Sequence, residues 1–247
     1  MNCLESKGAW LAAPILWLLA ITILPLIWLF ATPEQINAYF NNDGFSPVES
    51  ATIGLFWLQI ALFWLLPPMS PQPRRAFWLA DFSLLTFFAI CRELDWHKLL
   101  VSVSNLPGAT HGTPFKMRFI TNSHNPFADR LIVLFCFILV LGLCGLTLAY
   151  FLPRLLRGLW ALHPVCWSLG FLGGTLMLSQ FADRLPAILR NKFDVQLSEN
   201  LRALFIALEE GMELLLPLFV ILAVLQAYFI YNNAPRKTLP LERFKTM

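Results

Sequence analysis

The sequence predicts an all-α fold: a polytopic helical membrane bundle with six transmembrane helices and both termini in the cytoplasm. Hydrophobic residues make up 57% of the 247-residue chain and charged residues only 13%. The mean hydropathy is +0.63, and several uncharged runs reach the roughly 20 apolar residues that cross a bilayer. This composition excludes an ordinary soluble domain and predicts one transmembrane domain over residues 1–247.

Six spans follow from the apolar runs in chain order. The first, about 8–32, carries no charge and contains Pro14 and Pro25 as predicted kinks. The second, about 50–67, ends in a proline-rich segment, and the third, about 76–97, is interrupted by Asp81. The last three are predicted at about 130–152, 158–182 and 198–232. An even number of spans places both termini on one side of the membrane.

Short basic segments set the predicted orientation. Cytoplasmic loops of membrane proteins carry an excess of Lys and Arg. Here the basic segments are the turn after the second span, the turn after the fourth span and the C-terminal tail: Arg74, Arg75, Arg154, Arg157, Arg236, Lys237, Arg243 and Lys245. The longer loops of mixed charge therefore face outward, into the periplasm of a Gram-negative host, and the predicted location is a bacterial inner membrane.

Several function classes are not supported by the sequence. The net charge of +3 is spread over short segments and forms no basic patch, so no nucleic-acid partner is expected. Five cysteines lack any CxxC spacing, which favours small buried hydrophobes over a disulfide framework or a cysteine zinc site. The chain also lacks Gly-x-Ser-x-Gly, a Gly-rich phosphate loop and His-Glu-x-x-His.

A dense charge cluster at residues 92–98 ends the third span and is the most informative stretch. Measured from the predicted cytoplasmic ends, Glu49, Glu93 and Glu213 all lie about 25 to 27 Å along their helices. Three helices therefore bring carboxylates to the outer membrane interface. The sequence predicts a polar pocket there, between the second, third and sixth spans.

Spacing within the helices predicts which of these side chains share a face. Glu93 and His97 are four residues apart, as are Glu209 and Glu213, and residues at this spacing lie on one side of a helix. Neighbouring carboxylates repel, so they require a cation, a shared proton or an arginine. Glu210 lies on the adjacent face of the sixth span.

Three interpretations of this pocket stay open. A network of ion pairs would account for the charges without any function, and its predicted members are Arg92, Asp95, Asp129, Arg130, Asp183 and Arg184, with Arg202 as a further cation. A divalent metal ion is the second interpretation, with His97, Glu93, Glu49 and Glu213 as ligands. The third is a proton relay or the binding of a cationic or polar ligand. If the site is catalytic, His97, Glu93 and Glu210 are the predicted acid–base groups.

Weaker signals lie outside the pocket. Lys116 and Arg118 alternate with apolar residues in the outer loop and are predicted to meet a lipid head group or another anion. A short strand over the helix bundle is the alternative interpretation of this segment. Asp81 is expected to hydrogen-bond to a neighbouring helix, and His163 to be an ordinary interfacial histidine. Gly170, Gly173 and Gly174 are interpreted as small residues that permit close helix packing.

The motifs also carry a resemblance. Arg-Glu-Leu-Asp-Trp-His-Lys at 92–98 and Glu-Glu-Gly-Met-Glu-Leu at 209–214 resemble blocks of an uncharacterised family of small polytopic bacterial inner-membrane proteins. That resemblance implies no activity. The metal hydrolases of the alkaline ceramidase kind differ, because the sixth span offers glutamates where they have His-x-x-x-His.

These observations predict an integral membrane protein whose outward-facing acidic site binds a lipid, a lipid-linked group or a metal. Hydrolase or transferase activity is an extension that the sequence leaves open. The first alternative is a non-enzymatic structural or assembly partner of other envelope proteins. The second is cation or proton transport, which the scarcity of polar residues in the spans disfavours.

Overall fold

The computed structural model describes residues 8–40, 46–66, 75–94 and 117–233. All regular secondary structure in these ranges is helical. A 3₁₀ turn at Ala9–Leu11 precedes eight α-helices: α1 Ala12–Phe30, α2 Pro33–Phe40, α3 Pro47–Leu65, α4 Arg75–Glu93, α5 Met117–Thr121, α6 Phe127–Trp160, α7 Pro164–Phe193 and α8 Glu199–Asn233.

Five described segments are long and apolar enough to cross a membrane: Ala9–Phe30, Pro47–Leu65, Phe127–Trp160, Pro164–Phe193 and Glu199–Ile230. This supports a multi-pass membrane protein. The remaining predicted span coincides with α4, which is 19 residues long but carries Arg75, Asp81, Arg92 and Glu93. Its charge sets it apart from the other five, so the count of six and the orientation of the termini stay predictions.

The chain divides into two compact units. One contains α1, α2, α3, α7, α8 and α6 from Leu155 onward, and the other contains α4, α5 and α6 up to Arg154. The prediction of a single transmembrane domain is not tested by this division.

In the first unit α8 is the central helix, because it packs against α1, α2, α3 and α7. One row of its buried residues recurs every three or four positions: Ala203, Ala207, Gly211, Leu215, Phe219, Ala223 and Gln226. Small residues in the N-terminal half allow Leu24 of α1 and Ile36 of α2 to pack closely. In the C-terminal half, Phe219 packs with Ala13 and Met212.

Large apolar side chains elsewhere face outward. On α1, Leu18 is 55% exposed and Phe30 is 82% exposed, and on α6 Phe135 is 67% exposed. In water such a surface would be unfavourable, since apolar area removed from water contributes about 25 cal/mol per Å². The exposed faces of α1 and α6 therefore suit contact with lipid.

Two helices extend beyond their predicted ends and contain a proline. α6 continues through Pro153 to Trp160, beyond the predicted end at 152, and α7 continues through Pro186 to Phe193, beyond the predicted end at 182. A proline removes one backbone donor but leaves the other hydrogen bonds of the turn intact. Arg154 also donates a side-chain hydrogen bond to the carbonyl of Tyr150 and stacks over its ring at 4.0 Å, which holds the backbone around Pro153.

The second unit confirms one prediction about Asp81. Its side chain is 3% exposed, and Oδ2 accepts a hydrogen bond from Thr147 Oγ1 on α6 at 2.5 Å. Trp78, one turn earlier on α4, stacks on Tyr150 with ring centroids 4.5 Å apart. Asp81 thus joins α4 to α6 at an apolar level of the bundle, as the sequence predicted.

Candidate functional site

Glu49 completes a capping box at the start of α3. Its backbone N–H donates to Ser46 Oγ at 3.1 Å, and Ser46 N–H donates to Glu49 Oε2 at 3.3 Å. Pro47 occupies the first helical position, where its missing N–H costs nothing. A role in helix capping therefore explains this carboxylate, and the predicted role as a metal ligand stays a prediction.

The capping role predicts a distinctive pattern of substitutions at Glu49. Glu49→Gln keeps an acceptor for the Ser46 N–H, so the melting temperature should change little, whereas Ser46→Ala should cost about 1 kcal/mol of unfolding free energy. Thermal unfolding in detergent measures both. If Glu49→Gln lowered stability as much as Ser46→Ala and also removed bound metal, the ligand role would replace the capping role.

The acidic group on α8 consists of Glu209, Glu210 and Glu213, and the three side chains differ in their exposure. Glu213 is 3% exposed and accepts a hydrogen bond from Ser179 Oγ at 3.2 Å, whereas Glu209 and Glu210 are half-buried. Arg92 and Glu93 end α4 in the other compact unit. The predicted three-helix pocket therefore draws on both units and stays a prediction.

The predicted metal site cannot be assembled from described residues alone. His97 lies outside the described residues, as do Asp95 and Lys116, and for Arg118 only the backbone is described. Within the described ranges, no group of three or more His, Cys, Asp or Glu side chains could hold a metal ion. The proposed ligands His97, Glu93, Glu49 and Glu213 stay a sequence-based prediction.

The two Asp-Arg pairs occupy different positions in their helices. Asp129 lies in the first turn of α6, where the helix dipole favours a negative charge, and Arg130 stacks over Phe127 at 5.6 Å. Asp183 and Arg184 are exposed and lie in the second half of α7. Their predicted role in structural pairing is not tested, but Asp183 contributes to the cavity described next.

A cavity of about 280 Å³ lies between the second half of α7 and the start of α8. Four of its lining side chains are charged, two of each sign, and most of the others are apolar. The lining residues are Ala182, Asp183, Pro186, Ala187, Arg190, Val195, Gln196, Leu197, Arg202, Phe205, Ile206 and Glu209. We refer to it as the α7–α8 cavity.

A short connection between the two helices forms one end of this cavity. Asp194 ends α7 in the left-handed conformation (φ 54°), and Val195 N–H also donates back to the Leu189 carbonyl at 3.2 Å. Ser198 then caps α8, since its Oγ accepts from Leu201 N–H at 3.4 Å. Only residues 194–198 separate the helices, and such a short connection makes neighbouring helices antiparallel.

The antiparallel register separates the charges of the α7–α8 cavity by sign. Ser179 contacts Glu213, so moving four residues along α7 and four back along α8 brings Asp183 level with Glu209. Seven residues further, Arg190 is level with Arg202. The two guanidinium groups thus lie near the connection, and the two carboxylates lie about 10 Å deeper along the helices.

This arrangement suits a ligand in which an anionic group is attached to an apolar group. Guanidinium groups form paired hydrogen bonds to phosphate and carboxylate. Phe205, Ile206 and Leu197 provide an apolar wall beside them. Phe193 is 66% exposed and Val195 is 45% exposed, which is typical of side chains that dip into a membrane interface.

Arg190 was not among the predicted site residues, and Arg202 was considered only as a partner for acids. The available signal was spacing, because Asp183 and Arg190 are seven residues apart, as are Arg202 and Glu209. Residues seven apart share one helix face. Two such faces that meet across a hairpin would have indicated this cavity.

The prediction that His163 is an ordinary interfacial histidine stays a prediction. It precedes α7 at the turn from α6, and its Nδ1 is buried without a hydrogen-bond partner. Burial lowers the pKa of His163 below its usual value, so the imidazole is neutral at neutral pH.

Comparison with protein families, curated proteins and solved structures finds no match to this chain. The resemblance to small inner-membrane proteins therefore rests on the two sequence blocks alone. The geometry and charge of the α7–α8 cavity carry the functional interpretation.

Proposed function

We propose that this protein is a multi-pass bacterial inner-membrane protein that binds the phosphate of a lipid or lipid-linked group in the α7–α8 cavity. The observation that carries the proposal is the placement of Arg190 and Arg202 on facing helices, beside an apolar wall at a helix hairpin. In this proposal the hairpin faces the periplasm, in keeping with the predicted orientation.

The position of Arg190 along α7 supports the binding of a head group over that of an acyl chain. The uncharged part of α7 ends at Ala182, and Arg190 lies eight residues later, about 12 Å beyond it. Lipid phosphates lie in the polar zone just outside the hydrocarbon core, which adds several ångströms on each side. A phosphate at this level can reach Arg190 and Arg202 while its chains stay in the bilayer.

The carboxylates of the cavity restrict what else can bind. Asp183 and Glu209 lie at the deeper end of the cavity. There they would accept hydrogen bonds from hydroxyl or ammonium groups and repel a second anion. Glu210 is next to Glu209 on α8. Its predicted acid–base role, together with Glu93 and His97, would make the same site a hydrolase or transferase of the bound group.

Transport through the bundle has less support. Ser168 and Ser179 of α7 are fully buried and hydrogen-bond to Gln226 and Glu213 of α8. Apolar rings separate these two polar contacts, since Phe171 packs against Phe219 with centroids 6.0 Å apart. Such an apolar step is a poor route for an ion or a proton, because polar groups in hydrocarbon cost several kcal/mol.

Phosphate-dependent lipid binding tests the proposal. Purified protein in detergent is titrated by calorimetry with dioctanoyl phosphatidate, dioctanoylglycerol and inorganic phosphate. We expect phosphatidate to bind most tightly, because it supplies both the phosphate and the apolar chains. Arg190→Gln and Arg202→Gln should each lower its affinity about tenfold, the effect of losing one charge-assisted hydrogen bond.

Arg184→Gln is the matched control. Arg184 is exposed on the same helix, carries the same charge and does not line the cavity, so its loss should leave the affinity within about twofold. Equal losses in all three variants would indicate general attraction to a basic surface. Equal binding of dioctanoylglycerol and phosphatidate would also contradict the proposal.

A further inference from the structure

A second cavity of about 260 Å³ lies at a different level of the first unit, between α1, the end of α6 and the first half of α7. Its walls are mainly aromatic and aliphatic, and include Trp17, Trp167, Phe171 and Leu178. Gly174 leaves it open on the α7 side, whereas a Cβ at Gly170 would lie 2.9 Å from the Leu159 side chain. None of its lining residues belongs to the α7–α8 cavity.

Two polar groups at this second cavity are buried without a hydrogen-bond partner. Thr175 is 0% exposed and its Oγ1 has no partner, and the indole Nε1 of Trp17 is also buried and unpartnered. Leaving such a group unpaired is unfavourable, because it has lost its hydrogen bonds to water without gaining others. The indole N–H can only donate and the hydroxyl can donate, and both belong to residues that line the cavity. A ligand that brings acceptors would satisfy both once the two side chains turn toward it.

The depth of the cavity restricts where those acceptors come from. Thr175 lies 11 residues after Pro164, about 17 Å along α7, and the uncharged run of that helix continues to Ala182. The unpartnered groups are therefore level with hydrocarbon, below the depth of the ester carbonyls of phospholipids. A suitable ligand must carry its own acceptor into the apolar core.

We propose that the second cavity binds a membrane-soluble ring compound of the quinone class. Its ring carbonyls would accept hydrogen bonds from Thr175 Oγ1 and Trp17 Nε1, and its apolar substituent would extend into lipid. The aromatic walls suit a planar ring, since Trp17 and Trp167 both pack against Phe171, with centroids 5.9 Å and 6.0 Å from it. This site is independent of phosphate binding.

Thr175→Val tests whether the Thr175 hydroxyl binds a ligand or stabilises the fold. The substitution keeps the shape of the side chain and removes the hydroxyl. We expect the affinity for decylbenzoquinone, measured by equilibrium dialysis in detergent, to fall about tenfold. The melting temperature of the ligand-free protein should stay the same or rise, because the hydroxyl has no partner there. A lower melting temperature with unchanged affinity would overturn the proposal.

The tryptophans provide a matched pair. Trp17→Phe removes the unpartnered N–H and should weaken decylbenzoquinone binding. Trp167→Phe removes an N–H that already donates to the Leu159 carbonyl at 3.1 Å, so it should reduce stability and leave affinity nearly unchanged. The reverse order of affinities would contradict the assignment of the donor.

Two glycine substitutions form a second matched pair, because only one of them would fill the cavity. A Cβ at Gly174 or at Gly173 would meet no atom within 4 Å, so neither substitution should disturb the fold. Only Gly174 lines the cavity, so Gly174→Leu should abolish binding of decylbenzoquinone and Gly173→Leu should not. Binding that survives Gly174→Leu would place the ligand elsewhere.

Two comparison ligands identify the class. Decylbenzene has the ring and chain without an acceptor, and methyl decanoate has a carbonyl without the ring. We expect both to bind at least tenfold more weakly than decylbenzoquinone. Equal binding of decylbenzene would show a site for apolar chains, and equal binding of methyl decanoate would show an ester site; either result would overturn the quinone assignment.

Discussion

Gly211→Leu is expected to lower the free energy of unfolding by about 3 kcal/mol, the upper part of the usual range for overpacking a core. A Cβ at Gly211 would overlap Leu24 of α1, whose Cδ1 would be 2.7 Å away. Leu24 is 6% exposed and held by Ile36 and Ala207, so a leucine side chain must push α1 away from α8. Thermal or denaturant unfolding in detergent measures the loss.

Gly173→Leu is the control, since a Cβ at Gly173 meets nothing within 4 Å. Its effect should stay within about 0.5 kcal/mol. The contact can also be tested by rescue, because Gly211→Ala should be better tolerated in a Leu24→Ala background than in the wild type. Additive effects of the two alanines would show that Leu24 is not what excludes a side chain at Gly211.

Glu213→Ala is expected to destabilise the protein by about 2 kcal/mol or more, because it leaves a space in a packed seam and removes the acceptor of the buried Ser179 hydroxyl. Glu213→Gln keeps both the volume and an acceptor oxygen, so its effect should be less than half as large. The measurement is unfolding in detergent at neutral pH.

A double-mutant cycle with Ser179→Ala isolates the contact. The coupling between Ser179 and Glu213 should be about 1 kcal/mol, as for a typical buried hydrogen bond. If Glu213→Gln were as damaging as Glu213→Ala, the negative charge itself would be required. That result would favour the cation or metal interpretation of the acidic group.

The membrane character of the chain could be predicted from the sequence, because few structures other than membrane-spanning helices contain long uncharged apolar runs. Five of the described helices are long and apolar enough to cross a membrane. Helix ends were harder to predict, since α6 and α7 continue through Pro153 and Pro186 beyond the predicted ends of the spans. The short helix α2 lies where a loop was expected, and a Thr32–Gln35 capping box starts it.

The candidate site could be predicted only in part. Asp183, Arg202 and Glu209 were recognised as charged groups near the outer interface, but their pairing across the hairpin depends on the register between α7 and α8. That register follows from the left-handed turn at Asp194 and from the Ser179–Glu213 contact. Glu49 shows the opposite case, since Ser46-Pro47-Val48-Glu49 is a capping-box pattern that was present in the sequence and was interpreted only as part of a pocket.

A density map of the protein in nanodiscs that contain phosphatidate would show whether the α7–α8 cavity holds a lipid head group. We expect a lipid phosphate in this cavity, within hydrogen-bond distance of both Arg190 and Arg202, with its acyl chains directed along the apolar part of α7. Phosphate density that contacts neither arginine and lies on another face of the bundle would contradict it.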